Sequence, residues 1–278
     1  MSNPILIDKF ISEEVCDKLI HDADLYLDKN HFIRIQQVRD YLTNTSLGMY
    51  DLKKKSIIWN DLTNKLDSAD FYEFCCEKLR IDKDNFIKKK FFQLENPSNL
   101  MLSFKRNSTE KVALLPTLSL IKYCIIKISR SLYRKLFFSK FFFWKKKPIE
   151  LLYDYSVAYN GYCVPTHRDS EKRLFIFLLY LNDLSLVAEG GNLEFYSKSQ
   201  LPKVSFELID TVKPKKGRLV IFINNETSYH AVNQMKVKFE KQNISRHFIY
   251  GGFTLLSQNN PFIRSDSVKD KTGFHLYD

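Results

Sequence analysis

The chain has 278 residues, 44% hydrophobic and 27% charged, which is ample for a packed core and excludes disordered or collagen-like classes. Five cysteines, Cys16, Cys75, Cys76, Cys124 and Cys163, lack the C-x-x-C spacing of zinc or redox sites, so reduced thiols and a cytoplasmic chain are expected. The net charge of +11 is concentrated: ten Lys and Arg, and no Asp or Glu, fall between Lys111 and Ile149.

The opening MSNPILIDKFISEEV has no basic region followed by a long apolar run, so no secretory signal is expected. Ser12 reads as an N-cap before Glu13 and Glu14, with Val15, Leu19, Ile20 and Ala23 at helical spacing. A second helix is expected from Asn60 to Leu79, with Leu62, Leu66, Phe71, Phe74 and Cys75 turned inward. Both helices read as scaffold.

Residues 115–144 are apolar and basic together, and no window of about 18 residues there is free of charge, which argues against a membrane span. Lys127, Arg130 and Arg134 would share a helical face opposite Ile125, Ile128, Leu132 and Leu136. The favoured reading is a scaffold helix with a solvated basic face. Peripheral contact with a membrane surface comes second, and nucleic acid a distant third.

From Tyr153 the texture changes to short runs rich in β-branched and aromatic residues, such as YDYSVAY, RLFIFLLYLND, RLVIFIN and RHFIYGGFTLL, separated by turn residues. No helix-length segment intervenes, so a jelly-roll barrel is favoured over a parallel βαβ fold.

One constellation carries chemistry. In an extended segment, His167 and Asp169 point to the same side while Arg168 points away, so the pair can converge on one ion. That spacing alone is a weak signal, but His230 follows at the start of another expected strand. Two imidazoles and a carboxylate from separate strands of a jelly roll form the ligand set of non-haem iron oxygenases, with positions left open for a chelating 2-oxo acid and dioxygen. The far carboxylate of such a cosubstrate needs a buried partner, and Arg246 offers a two-point fork that never loses its charge. Strand alternation puts Arg246, Phe248 and Tyr250 on one face and His247 and Ile249 on the other.

Several ordered motifs now coincide: Y-N-G-x5-H-x-D from Tyr159, G-G-x-L-x-F from Gly190, K-x-G-R-L-V-I-F from Lys215, H-A-V at His230 and R-x-F-I-Y-G-G-F from Arg246. On these the chain resembles the iron(II)/2-oxoglutarate dioxygenases, particularly the branch that includes the prolyl 4-hydroxylase catalytic domain. The resemblance is strong over 150–255, extends to IDKFISEEVCDKLI near the N-terminus, and is absent from the basic segment. It implies an α+β fold with a double-stranded β-helix (jelly roll, cupin-like) core and N-terminal supporting helices. The division it suggests is a helical support region over 1–110, a basic aromatic-rich helical insertion over 111–149, the catalytic core over 150–256 and a tail over 257–278.

The resemblance further implies that His167, Asp169 and His230 bind iron(II), that Arg246 binds the distal carboxylate of 2-oxoglutarate, and that Tyr159 adds a hydrogen bond to it, with Tyr155 or Tyr180 as alternatives. Dioxygen is the second substrate and ascorbate the reductant. The implied reaction couples decarboxylation of 2-oxoglutarate to succinate with hydroxylation of a substrate C–H bond, and the presence of Asp169 favours hydroxylation over halogenation. The prolyl branch commonly carries Lys where Arg246 stands, so prolyl specificity does not follow. The substrate is left open among a protein side chain, a glycan or lipid head group and a free small molecule.

Elsewhere ordinary readings are expected: a turn with positive φ at Gly190 and Gly191, a bulge at Gly251 and Gly252, and a buried inert thiol at Cys163. The alternatives to the oxygenase are a cupin-like barrel that holds metal and a sugar or small molecule without 2-oxoglutarate, and a silent interaction module anchored by the basic segment.

Overall fold

The computed structural model describes residues 4–35, 38–44, 46–81, 86–88, 147–199, 205–238 and 244–255. Four helices lie in the N-terminal region: α1 (Glu13–Tyr26), α2 (Leu47–Lys55), α3 (Ile57–Asp67) and α4 (Ala69–Leu79). Each begins at a serine whose hydroxyl accepts a backbone N–H of the first turn: Ser12 from Val15, Ser46 from Met49, Ser56 from Trp59 and Ser68 from Phe71. Such caps are each worth about 1 kcal/mol. Ser68 also explains why the expected helix from Asn60 to Leu79 is two: its backbone is extended, with ψ 157°, where the helix would have to continue.

The strands, in chain order, are β1 (Ile5–Ile7), β2 (Ile33–Ile35), β3 (Arg39–Thr43), β4 (Phe86–Lys88), β5 (Lys147–Ala158), β6 (Val164–His167), β7 (Arg173–Tyr180), β8 (Ala188–Glu189), β9 (Leu193–Ser199), β10 (Ser205–Val212), β11 (Leu219–Ile223), β12 (Tyr229–Val232), β13 (Lys236–Val237) and β14 (Arg246–Leu255). A large sheet has the order β1-β11-β7-β14-β5-β3-β2, with β4 added parallel to β5. A smaller sheet has the order β10-β9-β12-β6, and β13 pairs β8 in a short ribbon. Apart from β4 with β5, every pairing is antiparallel. From β5 to β14 the chain passes repeatedly from one sheet to the other, which is the jelly-roll arrangement of a double-stranded β-helix.

The large sheet is covered on both faces, so β7 is buried at every position. One face carries Tyr153, Tyr155, Phe175, Phe177 and Phe253 against the helices. Trp59 anchors that layer: its Nε1–H donates to the Leu19 carbonyl at 2.8 Å, and its ring meets Tyr155 edge-on at 4.9 Å. Phe71 packs edge-on against Phe177 at 5.3 Å, and Tyr72 meets Phe253 at 5.2 Å. Large side chains buried in this way contribute about 1.5–3 kcal/mol each. The opposite face, with Ile176, Leu178, Val220, Phe222 and Phe248, turns toward Leu193, Phe195 and Val232 of the small sheet.

Three expectations change. The region 1–110 is not purely helical, because β1 and β3 extend the large sheet through β11 and β5. Strand β5 starts at Lys147, so the core reaches back into the segment assigned to the basic insertion; the remainder of that insertion, 111–146, and the tail 257–278 lie outside the described residues. Gly251 and Gly252 are not a bulge: the register with β5 runs unbroken through them. A Cβ on Gly251 would come within 2.4 Å of the Tyr153 side chain and 2.8 Å of Phe177, so close packing of the helix-facing surface demands glycine there. Among the described residues no helix is long and apolar enough to cross a membrane.

Candidate active site

His167 ends β6, and His230 lies directly opposite it on β12. Cross-strand neighbours in an antiparallel pair bring their side chains together, and the two imidazole centroids are 4.4 Å apart. Asp169, two residues past His167, completes the group: its carboxylate oxygens lie 3.9 Å from His167 Nε2 and 3.7 Å from His230 Nε2. All three residues are buried, and one ligand atom from each falls within 4.8 Å of the others. Arg168 points away, as alternation requires, and donates to the Glu226 carbonyl.

The tautomers follow from the partners. His167 Nδ1 lies 2.9 Å from the Pro165 carbonyl, and His230 Nδ1 lies 2.9 Å from the Ser228 carbonyl. A carbonyl can only accept, so both Nδ1 atoms carry the proton and both Nε2 atoms present lone pairs to the centre. Burial, reinforced by His167, pushes the pKa of His230 down to about 4, which keeps that imidazole neutral near pH 7. For Asp169 burial acts upward, but Arg173, the two imidazoles and Tyr250 outweigh it and hold the carboxyl below its usual range. Two imidazole nitrogens and one carboxylate, desolvated and converging, suit a divalent transition metal.

Tyr250 is a site residue that the sequence reading placed on the correct face without giving it a role. Its hydroxyl reaches both Asp169 oxygens, at 2.6 and 2.7 Å, and Arg173 lies over its ring at 4.8 Å. Four residues back along β14, roughly 13 Å of strand, stands Arg246. Its side chain is 1% exposed and lies against the rings of Tyr180 and Phe248, each at 4.9 Å. Nη1 donates to the Gly191 carbonyl, whereas Nε and Nη2 have no hydrogen-bond partner among the described residues. The Gly190–Gly191 turn that delivers that carbonyl does have positive φ, at 72° and 68°. A Cβ on Gly190 would fall 2.0 Å from the Gln234 carbonyl oxygen.

A single cavity joins the ends, bounded by His167, His230 and Tyr250 near the carboxylate and by Arg246 beyond, with Val164, Leu178, Leu193, Val232 and Phe248 as apolar walls. Tyr159 does not line it. Strand β5 ends one residue earlier, and a turn carries the Tyr159 hydroxyl outward to Asp40, at 2.9 Å. Tyr162, three residues on, lines the cavity instead, as does Arg39 from β3, which bonds Ser156 and had no signal in the sequence. Of the alternative tyrosines, Tyr155 faces the helices and bonds His247, while Tyr180 lies on the cavity side. Cys163 is exposed, not buried: it falls between β5 and β6, before the chain re-enters the sheet.

Residues 153–249 match the family model of the 2OG-Fe(II) oxygenase superfamily. That span holds His167, Asp169, His230 and Arg246. Among solved structures, the chain is 15% identical to a prolyl 4-hydroxylase from Phytophthora capsici, covering 93% of this chain and 60% of that one, with a TM-score of 0.47. A Pseudomonas putida prolyl-4-hydroxylase is 11% identical, covering 90% and 91%, with a TM-score of 0.39. The collagen prolyl hydroxylase of Paramecium Bursaria Chlorella virus-1 is 13% identical, covering 90% and 94%, with a TM-score of 0.36. No curated protein matches the chain.

Proposed function

We propose that His167 Nε2, a carboxylate oxygen of Asp169 and His230 Nε2 hold iron(II), that Arg246 pairs with the distal carboxylate of 2-oxoglutarate, and that the enzyme hydroxylates a C–H bond of its substrate. The observation that carries this reading is the guanidinium of Arg246. A charge buried with no acidic counterpart among the described residues is costly, and two donors without partners among those residues add to the cost. Such a group is retained when a ligand supplies the missing anion. The cosubstrate has the right form: one end chelates a metal and the other is a carboxylate.

When bound, the ion and cosubstrate supply the oxidising power: dioxygen and 2-oxoglutarate yield succinate and carbon dioxide, with one oxygen atom going to succinate and the other to the hydroxylated product. The protein's own part is positioning. The Pro165 and Ser228 carbonyls fix both imidazoles, and Tyr250 holds the Asp169 carboxylate. Val164, Leu178, Leu193, Val232 and Phe248 offer an apolar passage for the methylene groups between the two carboxylates and keep water from the reacting centre.

The experiment is 2-oxoglutarate turnover by the full chain with iron(II) and ascorbate. Succinate formation supports the reading. Metal binding without 2-oxoglutarate binding would favour the cupin-like alternative, which leaves Arg246 without a purpose. The substrate belongs to one of the classes named above, and trapping on the anaerobic iron(II) complex followed by mass spectrometry would identify it.

A further inference from the structure

We infer that Asn224 is a positioning residue that locks Asp169 and His230 into a single metal-binding geometry. This rests on the reading of His167, Asp169 and His230 as metal ligands, and it concerns a side chain outside that set.

Asn224 follows β11 and is fully buried. Its Nδ2 group donates to the Ser170 carbonyl at 2.8 Å and to the Arg173 carbonyl at 2.9 Å. Those carbonyls bracket the turn that begins immediately after Asp169, itself closed by Arg173 N–H donating to Ser170 O. Both amide protons are thus spent on the segment that carries the carboxylate ligand. The Asn224 backbone N–H donates to Leu174 O, continuing the β11–β7 ladder into the same segment.

On its other side, Asn224 Oδ1 lies 3.2 Å from the Ser228 hydroxyl, and the carbonyl of Ser228 accepts the Nδ1 proton of His230. The Ser228 hydroxyl also lies 2.8 Å from the Asn225 carbonyl and can donate to one acceptor at a time. One primary amide therefore ties the backbone before His230 to the backbone after Asp169. His167 has its own support, the Pro165 carbonyl, and stands outside the brace. Aspartate in place of Asn224 would set acceptor against acceptor at both carbonyls, and alanine would leave both without donors.

Metal affinity is the discriminating readout, because a merely structural residue would change stability without changing the affinity of folded molecules. The probes are cobalt(II), followed by visible absorbance, and manganese(II), followed by electron paramagnetic resonance, in anaerobic titrations of the full chain. Asn224→Ala, checked for folding by circular dichroism, is expected to bind about 10- to 100-fold more weakly. Leu62→Ala in the helix layer is the control: a lower Tm with wild-type metal affinity. Ser228→Ala keeps the carbonyl that receives His230 and removes only the hydroxyl, so a smaller loss in the same direction is expected. Wild-type affinity in folded Asn224→Ala overturns the inference; should that variant not fold, wild-type affinity in Ser228→Ala overturns it. A wild-type protein that binds neither metal removes the ligand assignment itself, an outcome distinct from a wild type and an Asn224 variant that bind equally well.

Discussion

Arg246 and His247 are neighbours on β14, both buried, both basic in type, and they sit in opposite kinds of interior. His247 faces the helices. Its Nδ1 meets the Tyr155 hydroxyl at 2.7 Å, its Nε2 meets the Ser245 hydroxyl at 2.8 Å, and burial pushes its pKa down to about 4. It is a neutral, satisfied group in a scaffold. Arg246 faces the cavity, cannot shed its charge, and has two donors without partners among the described residues. A pleat that alternates sides at every residue thus separates a polar group satisfied within the scaffold from one turned to the cavity. Satisfaction of hydrogen-bonding capacity, more than burial or residue type, tells them apart.

Four substitutions test this contrast, the most damaging first. Asp169→Ala should abolish metal-dependent 2-oxoglutarate turnover, since it removes the one carboxylate that joins His167 and His230 among the described residues; full activity in this variant would remove Asp169 from the centre. Arg246→Met should weaken 2-oxoglutarate binding by about 30-fold or more, corresponding to about 2 kcal/mol or above for a buried charge pair. The same change should leave the ligand-free protein as stable or more so, because it deletes an uncompensated buried charge; calorimetry and cosubstrate titration together decide it, and a lower Tm with unchanged binding would make Arg246 a structural residue.

Tyr250→Phe removes the hydroxyl shared by the two Asp169 oxygens and should loosen the metal by about 10-fold or more, measured by cobalt(II) titration. His247 supplies the scaffold side of the comparison. Its pKa falls from 6.5 to about 4 on folding, so the unfolded chain binds the proton more readily. The stability it contributes is complete above pH 6.5 and is lost as pH falls toward 4, at up to about 1.4 kcal/mol per pH unit. Urea unfolding at pH 7, 6 and 5 should show a shallower decline in His247→Gln than in the wild type, and parallel declines would discount the histidine.

Much of this was legible in the amino-acid order because it depends on local rules. Ser12 announced α1, the two-residue period placed His167 with Asp169 and Arg246 with Tyr250, and the Gly190–Gly191 turn was readable as such. Even the retirement of His247 to the far face followed from alternation. What could not be read depends on which distant segments become neighbours. Tyr159 belongs to a recognised motif yet turns outward, because the strand ends one residue before it and Asp40, far away in the chain, is there to accept its hydroxyl.

Arg39 reaches the cavity only because β3 pairs with β5, and Asn224 bonds the turn after Asp169 only because β11 lies beside it. Residue order alone set the identities and faces of His167, Asp169 and Arg246 and the strand-rich core, since side-chain direction along a strand is set by backbone geometry residue by residue. Tertiary structure decided the partners of those side chains: which carbonyls fix the imidazoles, which hydroxyl holds the carboxylate, and that no acid accompanies the buried guanidinium among the described residues. Partnership is settled by the long-range pairing of strands, and pairing leaves no periodic trace in the order of residues.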